Sequence, residues 1–444
     1  MTKRNWIALG MILFPVFLFY GLLASQTVNL PFLDDYTSVL GFMCNWVRAG
    51  TISGKLNLIL NTQFNEYKLI FAQAIFATQY SICGKVNFAI LSTIGNFLAL
   101  PVILILYWMW KADRRTIQER LLLFAPVSWL LYQFQYYSLL DWPMSSLQNI
   151  AVILFSLLAI YLLSRNETRS FYLSLLSLVL AICSSGNGFF VIPIGCLMLF
   201  QFGSFPRLVI WTAASMTMVA LYFGKYDYLQ SQAHADHSVL SSIHHLSPLY
   251  ALSFLGSSIA SYSSYIPAAA LGVCLCVVFL FAIVDRFYSK NPAMFYSICF
   301  LLITAIAVSG LRSDFGISQS LVSRYRIYSN LALIFTYLYL VGRFQSRVTG
   351  PMIRRFALVA IMVAAVGFNL GSTYAGFKLL RIRTDLTVEG IRRWEHGEES
   401  ITTAAGPANE DAVIKRQRLH GNYQPSDFEL RQAGSLNVYI PPAL

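Results

Sequence analysis

The chain reads as an all-α polytopic membrane protein, and three observations lead there. Of its 444 residues, 57% are hydrophobic and only 12% are charged, whereas soluble domains run near a quarter charged. The apolar residues gather in runs long enough to span a bilayer. The 32 Lys and Arg against 20 Asp and Glu, a formal net charge of +12, sit in short clusters between those runs. One basic patch would speak for nucleic acid. Scattered clusters speak for membrane topology and against a nucleic-acid partner.

About eleven apolar segments can be drawn, approximately 6–25, 86–110, 121–138, 147–163, 171–184, 188–203, 208–223, 266–284, 293–310, 327–342 and 356–375. The first follows Met1-Thr2-Lys3-Arg4. It has a spanning length and no clean small-x-small cleavage site, so it reads as a retained helix and not as a signal peptide. The pair 171–184 and 188–203 is short for full spans and admits a re-entrant reading.

Charge then fixes the sidedness. With the N-terminus in the cytoplasm, the inner loops hold 15 basic residues, from Lys3 and Arg4 to Arg354 and Arg355, in roughly 47 positions. The outer loops before residue 376 hold 8, namely Arg48, Lys55, Lys68, Lys85, Lys225, Arg312, Arg324 and Arg326, in roughly 130. The roughly fivefold difference in density supports this orientation, and an odd number of spans puts the C-terminus outside, in the periplasm of a bacterial inner membrane. Residues 1–375 form the transmembrane domain, with a long first outer loop at 26–85. Residues 376–444 form a small non-cytoplasmic tail, with loop-like Glu395-His396-Gly397-Glu398-Glu399 and Gly406-Pro407. Within the first outer loop, Thr37 to Ala49 and Leu58 to Tyr80 mix apolar and polar residues at helical spacing, which predicts two helices lying along the membrane interface. Long outer loops against short basic inner ones place the functional surface outside.

Four constellations face that side. Asp34 and Asp35 follow Pro31-Phe32-Leu33, about ten residues beyond the first span. Such a pair suits a general base, or a metal or cation site, or an N-cap for the helix starting near Tyr36. Asn65-Glu66-Tyr67-Lys68 opens an amphipathic stretch, either as solvated residues at a helix start or with Glu66 and Lys68 lining a polar pocket. Ser323-Arg324-Tyr325-Arg326 lies at the outer mouth of the tenth span, with Arg312 and Asp314 before it. Arginines on an outer loop run against the charge trend, and their planar fork fits phosphate, whether a substrate's or a lipid headgroup's. Ser184-Ser185-Gly186-Asn187-Gly188 breaks two apolar runs, as a tight turn or as a polar contact through Asn187.

His234, His237, His244 and His245 share one outer loop, but their spacing matches no standard metal site. Cys44 and Cys83 are the two cysteines of a long outer loop, and their spacing leaves a disulfide open. Nucleotide-binding glycine loops, HExxH and a nucleophile elbow are all missing from the sequence.

The order Pro31-Phe32-Leu33-Asp34-Asp35-Tyr36, Asn65-Glu66-Tyr67-Lys68, Ser185-Gly186-Asn187-Gly188 and Ser323-Arg324-Tyr325 resembles that of bacterial C-type membrane glycosyltransferases, the GT-C superfamily. The general type is similar to O-antigen-modifying glucosyltransferases. Where many relatives carry Glu-His-Arg, this chain has Glu66-Tyr67-Lys68. The resemblance implies a GT-C-like fold and transfer of a sugar from a polyprenyl-phosphate carrier to a glycan or lipid-linked acceptor, among them O-antigen. It implies Asp34 or Asp35 as catalytic base, and Arg324, Tyr325, Arg326 and Lys68 at the donor phosphate. Glu66, Asn187 and Arg312 fall to substrate binding, and neither a cofactor nor a metal is called for. The rival readings are a transporter or flippase for a lipid-linked saccharide and an O-antigen ligase or polymerase. The first expects ionisable groups at mid-membrane, where this chain has almost none. The second, by its own family pattern, puts the large outer loop late.

Overall fold

The computed structural model describes residues 3–110, 116–227, 246–260, 264–345 and 351–395. Each predicted apolar segment is helical. The helices are Lys3–Ala24, Phe88–Phe97 continuing as Ala99–Met109, Ile117–Leu131, Pro143–Ser164, Thr168–Ser184, Val191–Gln201, Phe205–Phe223, Ile266–Val284, Pro292–Arg312, Arg326–Gln345 and Pro351–Glu395. Among the described residues, seven stretches are long and apolar enough to cross a membrane: Asn5–Ala24, Phe88–Met109, Pro143–Ser164, Phe205–Phe223, Ile266–Val284, Pro292–Phe315 and Phe356–Val388. The other four predicted spans are shorter or more polar helices. The chain is thus an all-α polytopic membrane protein.

It divides into two compact units, the first made of Met1–Ser25, Leu100–Tyr137 and His245–Leu379, the second of Gln26–Ala99, Ser138–His244 and Leu380–Leu444. In the first unit, Lys3–Ala24 lies against Ile117–Leu131. Pro15 inside the former has no N–H, which orphans the Met11 carbonyl four residues back, a costly defect in lipid. Trp129 Nε1 donates to that carbonyl at 3.0 Å, and Ser128 Oγ donates to the Ile12 carbonyl at 2.6 Å. The far end of Ile117–Leu131 is closed similarly, because its last carbonyls lack intrahelical partners. The buried Asn369 amide donates to the carbonyls of Trp129, at 2.6 Å, and Tyr132, at 2.7 Å. Gly376 allows this approach, since a Cβ there would stand 1.9 Å from the Phe134 carbonyl oxygen.

In the second unit, Pro143–Ser164 is the central helix, buried along most of its length. It packs on Thr168–Ser184, Phe88–Phe97, Ile70–Cys83 and Val191–Gln201. A Cβ on Gly95 would lie 2.2 Å from Ser146 Oγ, so glycine sets how closely two of these helices cross. The first loop caps this unit and shares one hydrophobic core with it, including Val39, Met43, Phe76, Phe88, Trp142 and Leu147.

One local expectation changes. Thr37 to Ala49 is helical, as a π-helical turn Tyr36–Gly41 leading into Phe42–Arg48. Leu58 to Tyr80 is not one helix: Ile52–Asn61 and Ile70–Cys83 flank a hairpin of Gln63–Phe64 and Tyr67–Lys68. Asn65, with φ 51°, makes its turn, a left-handed conformation that asparagine tolerates better than most. At the C-terminal end the last helix runs on to Glu395, and the expected loop residues beyond it lie outside the described residues.

Candidate functional site

Pro31 to Asp35 forms a tight turn before the first loop helix. Leu33 adopts φ 47°, rare for a residue with a branched side chain. The Asp35 amide closes the turn on the Phe32 carbonyl at 3.0 Å. Asp35 is fully buried, and its carboxyl accepts two backbone N–H groups, from Phe32 at 3.0 Å and from Met144 at 3.2 Å. It does not cap the helix that follows; that task falls to the Asp34 backbone carbonyl, which accepts from Thr37 and Ser38. Asp34 itself is partly exposed. The pair is therefore split by environment, one carboxyl packed inside and its neighbour at the surface.

Burial pushes the Asp35 pKa well above the usual carboxylate range. The Phe32 and Met144 N–H groups pull it back, Asp34 raises it further, and the Arg383 guanidinium lowers it. Arg383 was not foreseen. It stacks on the Phe32 ring with Cζ 4.3 Å from the centroid, and its Nε donates to Asp141 Oδ2 at 3.0 Å. Nη2 pairs with the other Asp141 oxygen, a bidentate clamp between two largely buried side chains. The Trp142 ring meets Phe32 edge-on at 5.8 Å.

The other second-unit candidates share that unit's core, where Tyr67 of the hairpin joins the same hydrophobic cluster as Phe32 and Leu33. The Lys68 ammonium is buried and donates to the Tyr222 carbonyl at 2.7 Å, while its amide donates to the Tyr222 hydroxyl at 2.7 Å. Tyr222 belongs to the last turn of Phe205–Phe223, where orphan carbonyls and the negative dipole end favour a cation. Burial lowers the Lys68 pKa, and Lys225 lowers it further. Tyr226 donates to the Glu66 carbonyl at 2.7 Å, which fixes the hairpin against the same helix end. Ser185 Oγ bonds Asn187 Oδ1 at 3.3 Å and accepts from Gln148 at 3.3 Å. A Cβ on Gly188 would lie 2.3 Å from the Ala181 backbone, so that glycine is required by packing.

The remaining candidates belong to the first unit. Arg324 lies over the Tyr325 ring at 5.2 Å and Arg312 over the Phe315 ring at 5.8 Å. Tyr325 in turn packs on Phe254 at 5.3 Å. Burial and Tyr325 push the Tyr250 hydroxyl well above its ordinary pKa, and the nearby Arg312 and Arg324 oppose this. These four side chains thus share one neighbourhood. Arg326 is buried, and its Nε donates to the Leu321 carbonyl at 3.2 Å.

The four outer-loop histidines lie outside the described residues. Cys44 is buried, Cys83 is exposed, and both are free thiols. Among the described residues, no three His, Cys, Asp or Glu side chains cluster as a metal site.

No family model matches the chain, and no curated protein does. Among solved structures, it is similar to the archaeal oligosaccharyltransferase AglB from Archaeoglobus fulgidus, solved with an inhibitory peptide and a dolichol-phosphate. The identity is 13% and the TM-score 0.45, over 96% of this chain. The chain spans 61% of the length of that neighbour.

Proposed function

We propose that this protein is a membrane glycosyltransferase acting at the periplasmic face of a bacterial inner membrane. It moves a sugar from a polyprenyl-phosphate carrier to a glycan or lipid-linked acceptor such as O-antigen. Support comes from the order of motifs in the sequence and, above all, from the unequal carboxyl pair at Asp34 and Asp35. In this reading the partly exposed Asp34 is the base. It takes the proton of an acceptor hydroxyl as that oxygen attacks the anomeric carbon of the sugar. The bond from that carbon to the phosphate oxygen breaks, and the lipid phosphate leaves with the electron pair. The resemblance assigns the charge of the leaving phosphate to Arg324, whose planar fork suits it. Asp35 holds the turn in shape.

The test is sugar transfer by purified protein from synthetic polyprenyl-phosphate sugars to an extracted acceptor. Asp34→Asn is expected to lower the rate by about 10²- to 10⁴-fold, the usual worth of a general base, with carrier binding unchanged. Near-normal transfer by Asp34→Asn would remove Asp34 from the mechanism. Arg324→Ala is expected to weaken carrier use by roughly ten- to hundredfold, for a lost charge-assisted contact of about 1.5–3 kcal/mol, with acceptor use little changed.

A further inference from the structure

Both amide groups that hold the Asp35 carboxyl belong to segments gripped by one side chain. Phe32 supplies the first N–H, and its ring lies under the Arg383 guanidinium at 4.3 Å. Met144 supplies the second N–H, three residues after Asp141, which Arg383 clamps through Nε at 3.0 Å and through Nη2. Arg383 and Asp141 keep only 12% and 10% of their side-chain surface exposed. A pair this far from water is costly to desolvate and repays that cost only in close geometry held by what surrounds it. The clamp thus joins the bridging Asp35 carboxyl and the Phe32–Trp142 ring contact in tying the turn to the 141–144 segment.

We infer that Arg383 and Asp141 form a positioning pair for the Asp34–Asp35 turn, in which Arg383 fixes both backbone donors to Asp35 and Asp141 sets how much of the Arg383 charge Asp35 feels. The inference rests on the reading of that turn as the catalytic carboxyl pair. Of the neighbouring charges, Asp34 raises the proton affinity of Asp35 and Arg383 lowers it. Asp141 enters through its partner. The two halves of the clamp therefore push Asp35 in opposite directions. Removing the guanidinium leaves the carboxyl holding its proton to higher pH. Removing the Asp141 charge leaves a less compensated cation nearby, and the carboxyl gives up its proton at lower pH.

The experiment reads Asp35 directly and separately from catalysis. Hydrophobic carbodiimides add to protonated carboxyls in apolar surroundings, so labelling of Asp35 in the full-length protein, located by tandem mass spectrometry across a pH series, gives its midpoint. Arg383→Gln is expected to raise the midpoint by about half a pH unit or more, and Asp141→Asn to lower it by a similar amount. Arg383→Lys keeps the charge and loses the fork. It is expected to hold the midpoint near the wild type while turnover falls about tenfold with little change in KM. Midpoints that move the same way in Arg383→Gln and Asp141→Asn, or that do not move, overturn the positioning pair and leave a plain structural ion pair. Opposite midpoint shifts with transfer undiminished in Asp34→Asn and Asp35→Asn would keep the clamp and sink the transferase reading instead.

Discussion

Adjacent aspartates are chemically identical in sequence, and the fold makes them different. Asp35 gains two backbone donors and loses water; Asp34 keeps its exposure. The consequence for stability has a definite sign. A carboxyl whose pKa is raised on folding stabilises the protein while protonated, and that contribution is lost as pH rises from the ordinary carboxylate range through the raised value. Thermal unfolding in detergent should therefore show stability falling with pH across that window. Asp35→Asn, which stays neutral, should flatten that part of the profile; an unchanged slope would mean that Asp35 is ionised when folded. Lys68 carries a different lesson. The resemblance expects it at a donor phosphate, and in the structure its buried ammonium donates to the Tyr222 carbonyl. A lysine in a polar tetrapeptide carries no sign in the sequence of the helix end it reaches, because that partner lies more than 150 residues away.

At the level of elements, long apolar runs were legible because a spanning helix repeats one signal over about twenty residues. The Gln63–Phe64 and Tyr67–Lys68 hairpin was not, because two-residue strands are too short for any alternation to register. Arg383 was missed for a related reason. Hydropathy falls after residue 375, but Leu379, Leu380, Ile382 and Leu386 keep a helical pattern going to Glu395. A basic residue on the expected outer side was the available cue, the same one that drew attention to Arg324. The first-loop helix Ile52–Asn61 buries none of its residues in the protein. Ile52, Leu56 and Leu60, one turn apart, are 80%, 54% and 52% exposed. Such a stripe fits a lipid interface, where each side chain gains about 1.5–3 kcal/mol on full burial. An environment-sensitive fluorophore on Leu56→Cys, in reconstituted protein, should emit as in an apolar medium and be quenched by brominated lipid. Emission as in water would take this helix off the membrane.

For the whole molecule, the charge asymmetry makes a topological expectation that is simple to check. In a cysteine-free background, Ala412→Cys should react with impermeant maleimide added outside intact spheroplasts, and Ser289→Cys only after lysis. The reverse pattern would invert the orientation, and with it the side on which the carboxyl turn works. The last helix adds a constraint of scale. Its apolar stretch Phe356–Val388 has 33 residues, about 50 Å at 1.5 Å per residue, against roughly 30 Å of hydrocarbon. A rod that long tilts or projects, and how far it does so depends on the thickness of the surrounding lipid. Arg383 rides near its far end, so the grip on the carboxyl turn is exposed to bilayer mechanics: acyl-chain length would become a variable of the proposed transfer, acting through a helix whose reach does not change while the membrane around it does.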